Sequence, residues 1–596
     1  MSNVVEKKEG SVVGRQTTFP DLEKDVAASV DIGSEEENVH HGVKTVEATN
    51  KIFGKYSKWA LFIGLGLAAY VYSLDGQTTY YYLTWAASEL NDHSLISTIQ
   101  TAQSIIIACG KPAIAKVADV SSRGSAYFVV LVFYVVGYIV IASAHNIQTV
   151  AGGIILYAIG YTGLQLLTQI IIADITTLKW RGLVSSLISL PFIINAFIGS
   201  NVYTSVMSHA GWRWGYGMFA ILIPVSLAPL IVTLLWAERK AKRLGLVPPK
   251  KRDPEITFLG SAWRIAQEID LLGLILIGTS VALILLPLTL AAKASGGWSN
   301  PSMIAMIVIG CCLLPLCGVW DVKFAKFPVI PYRFLRNRSI AIASAIGFFD
   351  FVSFYLTFTY LFSFITVVKP WSAVNATYFI QTQTVALTIF GIMAGVIMRF
   401  THRYKWLLAV GLAIRLIGVG LMIHSRGANA SDAEVVWTQI LQGLGGGIAS
   451  ACTQVAAQAS VPHVDVAMAT AVVLLLTEIG GSIGSAAAGA VWTNNMPEKL
   501  AQYLPDVSET DRAALFGSIA TVTQYERGSP IREGVIRAYS DTMHIMLVIA
   551  TVISIIPFLL SFLMPNWYLG DTQNAVDGEG LNGEDTKSTE ASVTKI

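Results

Sequence analysis

The fourteen residues Ala69-Tyr-Val-Tyr-Ser-Leu-Asp-Gly-Gln-Thr-Thr-Tyr-Tyr-Tyr82 lie inside an apolar run from Trp59 to Leu83 that is long enough to cross a bilayer as one helix. They place a carboxylate, Asp75, deep within that run. A central Asp in a spanning helix costs about 2.5 to 3.5 kcal/mol on insertion scales, so it is expected to face a cavity or a partner rather than lipid. At helical spacing Tyr72, Thr78, Thr79 and Tyr82 fall on the same side, giving a polar, aromatic stripe that lipid would not select. The functional reading of Asp75 stands beside a structural one, in which it only hydrogen-bonds neighbouring helices.

The composition agrees with a membrane setting. Of 596 residues 53% are hydrophobic and 13% charged, and the mean hydropathy is +0.57, whereas soluble domains carry about 25% charged residues. A net charge of +2 points to no nucleic-acid partner, because the cations gather in particular loops. Five cysteines, three of them (Cys311, Cys312, Cys317) in one apolar run, have neither disulfide nor metal spacing and read as packing residues. No metal site, no cofactor and no Gly-x4-Gly-Lys-Ser/Thr phosphate loop is read from the sequence. Met1 to Lys58 is polar and lacks the apolar core of a signal peptide, so the first spanning helix is expected to act as its own anchor.

Fourteen runs of spanning length follow one another, near 59–83, 95–117, 126–144, 147–173, 183–206, 217–236, 270–291, 302–320, 340–368, 374–398, 406–424, 435–459, 466–492 and 543–564. The expected organisation is a disordered tail (1–57), a six-helix bundle (58–237), a basic loop (238–269), two inserted helices (270–322), a second basic loop (323–339), a second six-helix bundle (340–565) containing a long outer loop (493–540), and a second tail (566–596). Arg123, the Arg239 to Arg252 cluster, the Lys323 to Arg338 group and Arg399, Arg403 and Lys405 all fall on one side, predicting cytosolic termini. The sequons at Asn375 and Asn429 lie on the other side, although Asn337-Arg-Ser lies on the cytosolic one.

A repeat supports the count. Asp75 and Tyr80 precede Asp350 and Tyr355 by 275 positions; Gln103 and Arg123 precede Gln383 and Arg403 by 280; Thr168-Gln169 and Gly199-Ser200 precede Thr453-Gln454 and Gly484-Ser485 by 285. Two duplicated halves with loops of different length would produce such drift.

Gly110-Lys-Pro-Ala-Ile-Ala-Lys-Val-Ala-Asp-Val-Ser-Ser-Arg123 resembles the loop signature between helices 2 and 3 of the major facilitator superfamily, with Ala115 and Ser122 where glycines are usual. Leu-Asp-Gly-Gln-Thr-Thr-Tyr at 74–80, Cys-Gly-Lys-Pro at 109–112, Pro-Phe-Ile-Ile-Asn-Ala-Phe at 191–197, Gly-Trp-Arg-Trp-Gly at 211–215 and Tyr-Glu-Arg-Gly-Ser-Pro-Ile-Arg at 525–532 together resemble the fungal siderophore-iron transporters of that superfamily, over about 59 to 565. The resemblance implies an all-α fold and proton-driven uptake of ferric chelates, usually hydroxamates, across a plasma or endosomal membrane. It also implies that Asp119 and Arg123 steady one end state on the cytosolic side. Drug and proton antiporters of the superfamily commonly carry an Arg in helix 4, and Leu156 to Gly163 has none.

The residues themselves offer three intramembrane acids for proton coupling, Asp75, Glu478 and Asp350 in that order, because desolvation disfavours the ionised form and lets a carboxylate load and release a proton. Structural hydrogen bonding is the competing reading of each. Arg415 is a central cation in need of a partner, either an acid or the ligand, and Lys111 is expected to snorkel. For an oxygen-rich chelate with a bulky organic shell the expected lining is Tyr72, Gln77, Thr78, Tyr80, Gln103, Gln169, Tyr355, Gln383 and Gln454, with Gln100, Gln165 and Gln381 beside them. Interhelical glue is the alternative. In the outer loop Tyr525, Arg527, Arg532, Arg537 and Tyr539 read either as a capture lid or as a solvated helix. The expected protein is thus no enzyme but a monomeric proton symporter for a ferric siderophore, with membrane lipid as its surroundings; a multidrug exporter and a haem carrier of the same fold are the alternatives.

Overall fold

A computed structural model describes residues 52, 54–90, 96–120, 122–246, 263, 266–267, 270–291, 296–325, 328, 330–427, 430–517 and 519–572, apart from some side chains within them. Most of the two expected tails and of the first basic loop lies outside these residues, although 566–572 of the second tail are described. Among the described residues every regular element is a helix. The first half holds α1 (Lys55–Glu89), α2 (Ile96–Val120), α3 (Arg123–Ala142), α4 (Ile147–Ile175), α5 (Leu178–Ile188), α6 (Pro191–His209) and α7 (Gly211–Arg243). Then come α8 (Leu271–Leu290) and α9 (Pro301–Lys323). The second half holds α10 (Tyr332–Arg336), α11 (Arg338–Phe358), α12 (Leu361–Val368), α13 (Ala373–Thr401), α14 (Lys405–Ser425), α15 (Asp432–Ala459), α16 (Val466–Tyr503), α17 (Glu509–Gly517), α18 (Ile519–Thr523) and α19 (Pro530–Leu563).

Local chemistry sets many of these ends. Ser122 and Ser431 begin α3 and α15 with capping boxes, and Asn146 and Ser372 cap α4 and α13. Pro191 splits the fifth run into α5 and α6, since proline lacks an N–H and crowds the preceding turn. The expected outer loop is largely helical: α16 runs on to Tyr503 and α19 starts at Pro530.

Eleven helices among the described residues are long and apolar enough to cross a membrane. The other three expected runs fall short on that measure. Those in α2 and α8 shrink to Ala102–Ala115 and Leu271–Pro287, and α15 is diluted by Gln439, Gln442, Gln454, Gln458 and a Gly-rich centre.

One set of packings occurs twice. In the first half α1 packs on α6 and α7, α2 on α4, and α3 on α4 and α7; in the second, α11 packs on α16 and α19, α13 on α15, and α14 on α15 and α19. Glycines bring the closest pairs together. A Cβ on Gly160 of α4 would stand 2.6 Å from the Tyr134 backbone of α3, and one on Gly445 of α15 would stand 2.4 Å from the Gly411 carbonyl of α14. The halves meet where α2 lies on α16 and where α5 and α6 lie on α13, while α8 packs on α9, α2 and α16.

Candidate functional site

Asp75 is fully buried. The glycine seam between α3 and α4 turns three phenols onto it: the hydroxyls of Tyr134 and Tyr138 donate to Oδ2 and Oδ1, and Tyr157 donates to Oδ2 at 3.0 Å. The rings brace one another, Tyr138 stacked on Tyr157 at 4.6 Å and Tyr134 edge-on to both. Three donors satisfy much of a carboxylate's hydrogen-bonding capacity without supplying a countercharge. Of the two environments expected for Asp75 the structure shows partners. Three members of the stripe on its helix face are core, whereas Tyr72 borders a cavity: Thr78 and Thr79 back-bond to the carbonyls of Leu74 and Asp75, and Tyr82 packs on Tyr203 and Tyr216. Thr78 is therefore withdrawn from the substrate lining, because it is buried and its hydroxyl is spent within its own helix. The three caging tyrosines were missed, although Tyr134 and Tyr138 stand at i, i+4 in an otherwise largely apolar run and so mark a polar face.

Asp350, the repeat mate of Asp75, is held by a cation instead. Arg415 of α14 forms an ion pair with its carboxylate, and Nη2 donates to the Asp350 carbonyl at 2.9 Å. Both line a cavity of about 260 Å³ within the second half, with Phe351, Phe354, Gln383, Thr453 and Gln454. The Thr453 hydroxyl has no protein partner there, whereas Gln383 accepts from Gln439 at 2.9 Å.

A second cavity, about 240 Å³, is bounded by Tyr72, Gln165, Gln169, Phe192 and, from the other half, Thr384 and Thr388. A smaller space of about 100 Å³ touches Gln169, Ser186, Gly391 and Gln454. Gln169 and Gln454, repeat mates from α4 and α15, meet between these spaces, Gln454 donating to Gln169 at 2.6 Å. Gln381 donates to Gln77 across the same interface. Gln103 and Tyr355 are half-buried, the latter against Phe351 and Phe354. The side chains of Tyr80, Gln100 and Asp119 lie outside the described residues.

The third candidate acid is also paired. Lys111 Nζ lies 2.7 Å from Glu478 Oε1, joining α2 to α16 across the halves. Lys111 thus does not snorkel; it is fully buried, and an unpaired ammonium there would be costly. Arg123, expected beside Asp119, pairs with Asp174 at 3.0 Å on α4.

The outer group divides. Tyr525, Arg527 and Arg537 are exposed. Arg532 and Tyr539 are corrected to structural roles: the Arg532 guanidinium donates to the carbonyls of Val522, Thr366 and Val367, and the buried Tyr539 ring meets Trp492 edge-on at 4.8 Å. Both side chains are consumed in tying α19 to its neighbours. The cysteines are all free, and Cys311 and Cys312 are exposed rather than packed.

Comparison with known proteins follows the same outline. The Major Facilitator Superfamily profile matches residues 61–485. The chain is 38% identical to a siderophore iron transporter of Emericella nidulans, over 93% of each chain. It is 37% identical to a siderophore transporter of Mycosarcoma maydis, over 94% of this chain and 88% of that one. A low affinity heme transporter of Schizosaccharomyces pombe is 36% identical over 91% of this chain and 88% of that one. The all-helical fold, the apolar spans and these matches together make the chain a member of the fungal siderophore-iron transporter family within the major facilitator superfamily.

Proposed function

We propose that this protein takes up ferric siderophores, hydroxamate-type chelates, by alternating access with a proton bound and released at Asp75. One observation carries the coupling: of the three candidate acids, Asp350 and Glu478 are each paired with a cation, and Asp75 is held by hydroxyls. An adjacent cation favours the ionised carboxylate, so Asp75 is the acid least committed to carrying charge. The cavities supply amides, hydroxyls and aromatic faces, suited to a chelate whose iron is already enclosed. The binding groups are Tyr72, Gln169, Gln383, Gln454 and the Asp350–Arg415 pair. The two halves rock about this site, the termini face the cytosol, and the carrier acts as a monomer in a plasma or endosomal membrane.

The test is iron-55 uptake by transport-deficient yeast expressing the chain, offered ferric hydroxamates, catecholates and haem with and without a protonophore. Hydroxamate uptake that the protonophore stops is expected; uptake indifferent to the protonophore would remove the coupling. The heme-transporting relative supports haem as the second reading, and the same panel decides between them. Net export of label would instead support a multidrug exporter.

A further inference from the structure

We propose that residues 564–572, the segment after α19, form a strap that latches the two halves together at one end and must detach for that end to open. The strap is anchored on the second half. Tyr404 donates to the Pro565 carbonyl at 2.7 Å, Trp567 Nε1 donates to Ser339 Oγ at 3.0 Å, and the Leu569 amide donates to the His402 carbonyl at 3.0 Å. His402 stacks on Tyr568 at 5.2 Å, and Met564 and Leu569 are fully buried.

Its far end crosses to the first half. The amides of Leu178 and Lys179 donate to the carbonyls of Thr572 and Gly570 at 3.0 and 3.1 Å, and Lys179 Nζ lies 3.1 Å from Asp571 Oδ2. These amides open α5, whose cap residue Thr177 makes no side-chain capping bond. First-turn amides have no partner within their own helix, so the strap provides the cap that Thr177 does not. Immediately beyond, α5 presses on α13: Ser186 donates to the Gly391 carbonyl at 2.9 Å, and a Cβ on Gly182 would stand 2.6 Å from Met398. Parting the halves here separates 178–186 from 391–404, and a strap bonded to both sides has to release one of them. Release at α5 breaks two backbone bonds and one exposed ion pair; release at the other anchor would also expose Met564 and Leu569. The α5 side therefore lets go.

The inference rests on alternating access and on no particular substrate. It is tested with Lys179→Cys together with Asp571→Cys, bridged by a short reducible bifunctional thiol reagent in yeast expressing the full chain. The untreated variant should transport and reach the surface like the parent. Bridging should abolish uptake, and reduction should restore it, while the parent chain and each single variant are indifferent to the reagent. Undiminished uptake by the bridged protein would overturn the strap, and so would failure of the pair to bridge. A parent chain that imports no ferric hydroxamate would instead count against the proposed function, so the two failures are separable.

Discussion

Asp75 and Asp350 occupy matching places in the repeat, 275 positions apart, yet one is held by three phenols and the other by a guanidinium. The contrast extends to their surroundings. Asp75 is closed in among tyrosine rings, whereas Asp350 and Arg415 face a cavity. The two halves share the acid's place and differ in its partner, and the partner decides what the acid can do. A carboxylate beside a buried cation is fixed as one half of a pair. One held by hydroxyls can exist with or without its proton, at a cost set by its burial and its hydrogen bonds rather than by a neighbouring cation.

The hardest test of this contrast is to neutralise each site. Asp75→Asn is expected to abolish uptake at unchanged surface level, while Asp350→Asn combined with Arg415→Gln keeps a measurable rate, as read by iron-55 accumulation. Equal loss in both would erase the distinction, and normal transport by Asp75→Asn would remove that residue from the mechanism. Next in size, Arg415→Ala alone strands a buried charge and should cost about 3 to 5 kcal/mol, seen as a lower melting temperature in detergent, with Asp350→Asn in the same chain recovering most of it. Tyr157→Phe removes one donor to Asp75 and should cost about 1.5 to 3 kcal/mol where the carboxylate is ionised and about 0.5 to 1.5 where it is protonated. Melting the variant against the parent at several pH values should therefore show a penalty that grows as pH rises. The smallest expected effect is at the contact between halves: a double-mutant cycle on Gln169→Ala and Gln454→Ala should give a coupling of about 0.5 to 1.5 kcal/mol in stability.

Much of the scaffold was legible along the chain. Apolar runs located the helices, because hydropathy belongs to a residue and its neighbours, although the break at Pro191 was passed over within the run 183–206. The three acids were legible for the same reason. Their partners were not. Lys111 reads as a snorkelling residue until α16 is laid beside α2, and Arg532 reads as either a capturing or a solvated cation until its guanidinium is found on three backbone carbonyls. Of the polar stripe around Asp75, Tyr72 borders a cavity while Thr78, Thr79 and Tyr82 are buried, since a helix face polar enough to avoid lipid can equally be buried against other polar faces.

By itself, then, the sequence determined that this is a polytopic membrane protein with acids set in hydrocarbon and a duplicated order of helices, since the cost of a charge in lipid depends on its depth within an apolar run. Only the tertiary structure decided which acid is caged by phenols and which is matched with a cation. Those partners come from segments as near as 59 positions, for Tyr134 and Asp75, and as far as 367, for Lys111 and Glu478. Helix packing brings them within hydrogen-bonding reach, and no pattern confined to a single helix carries that information.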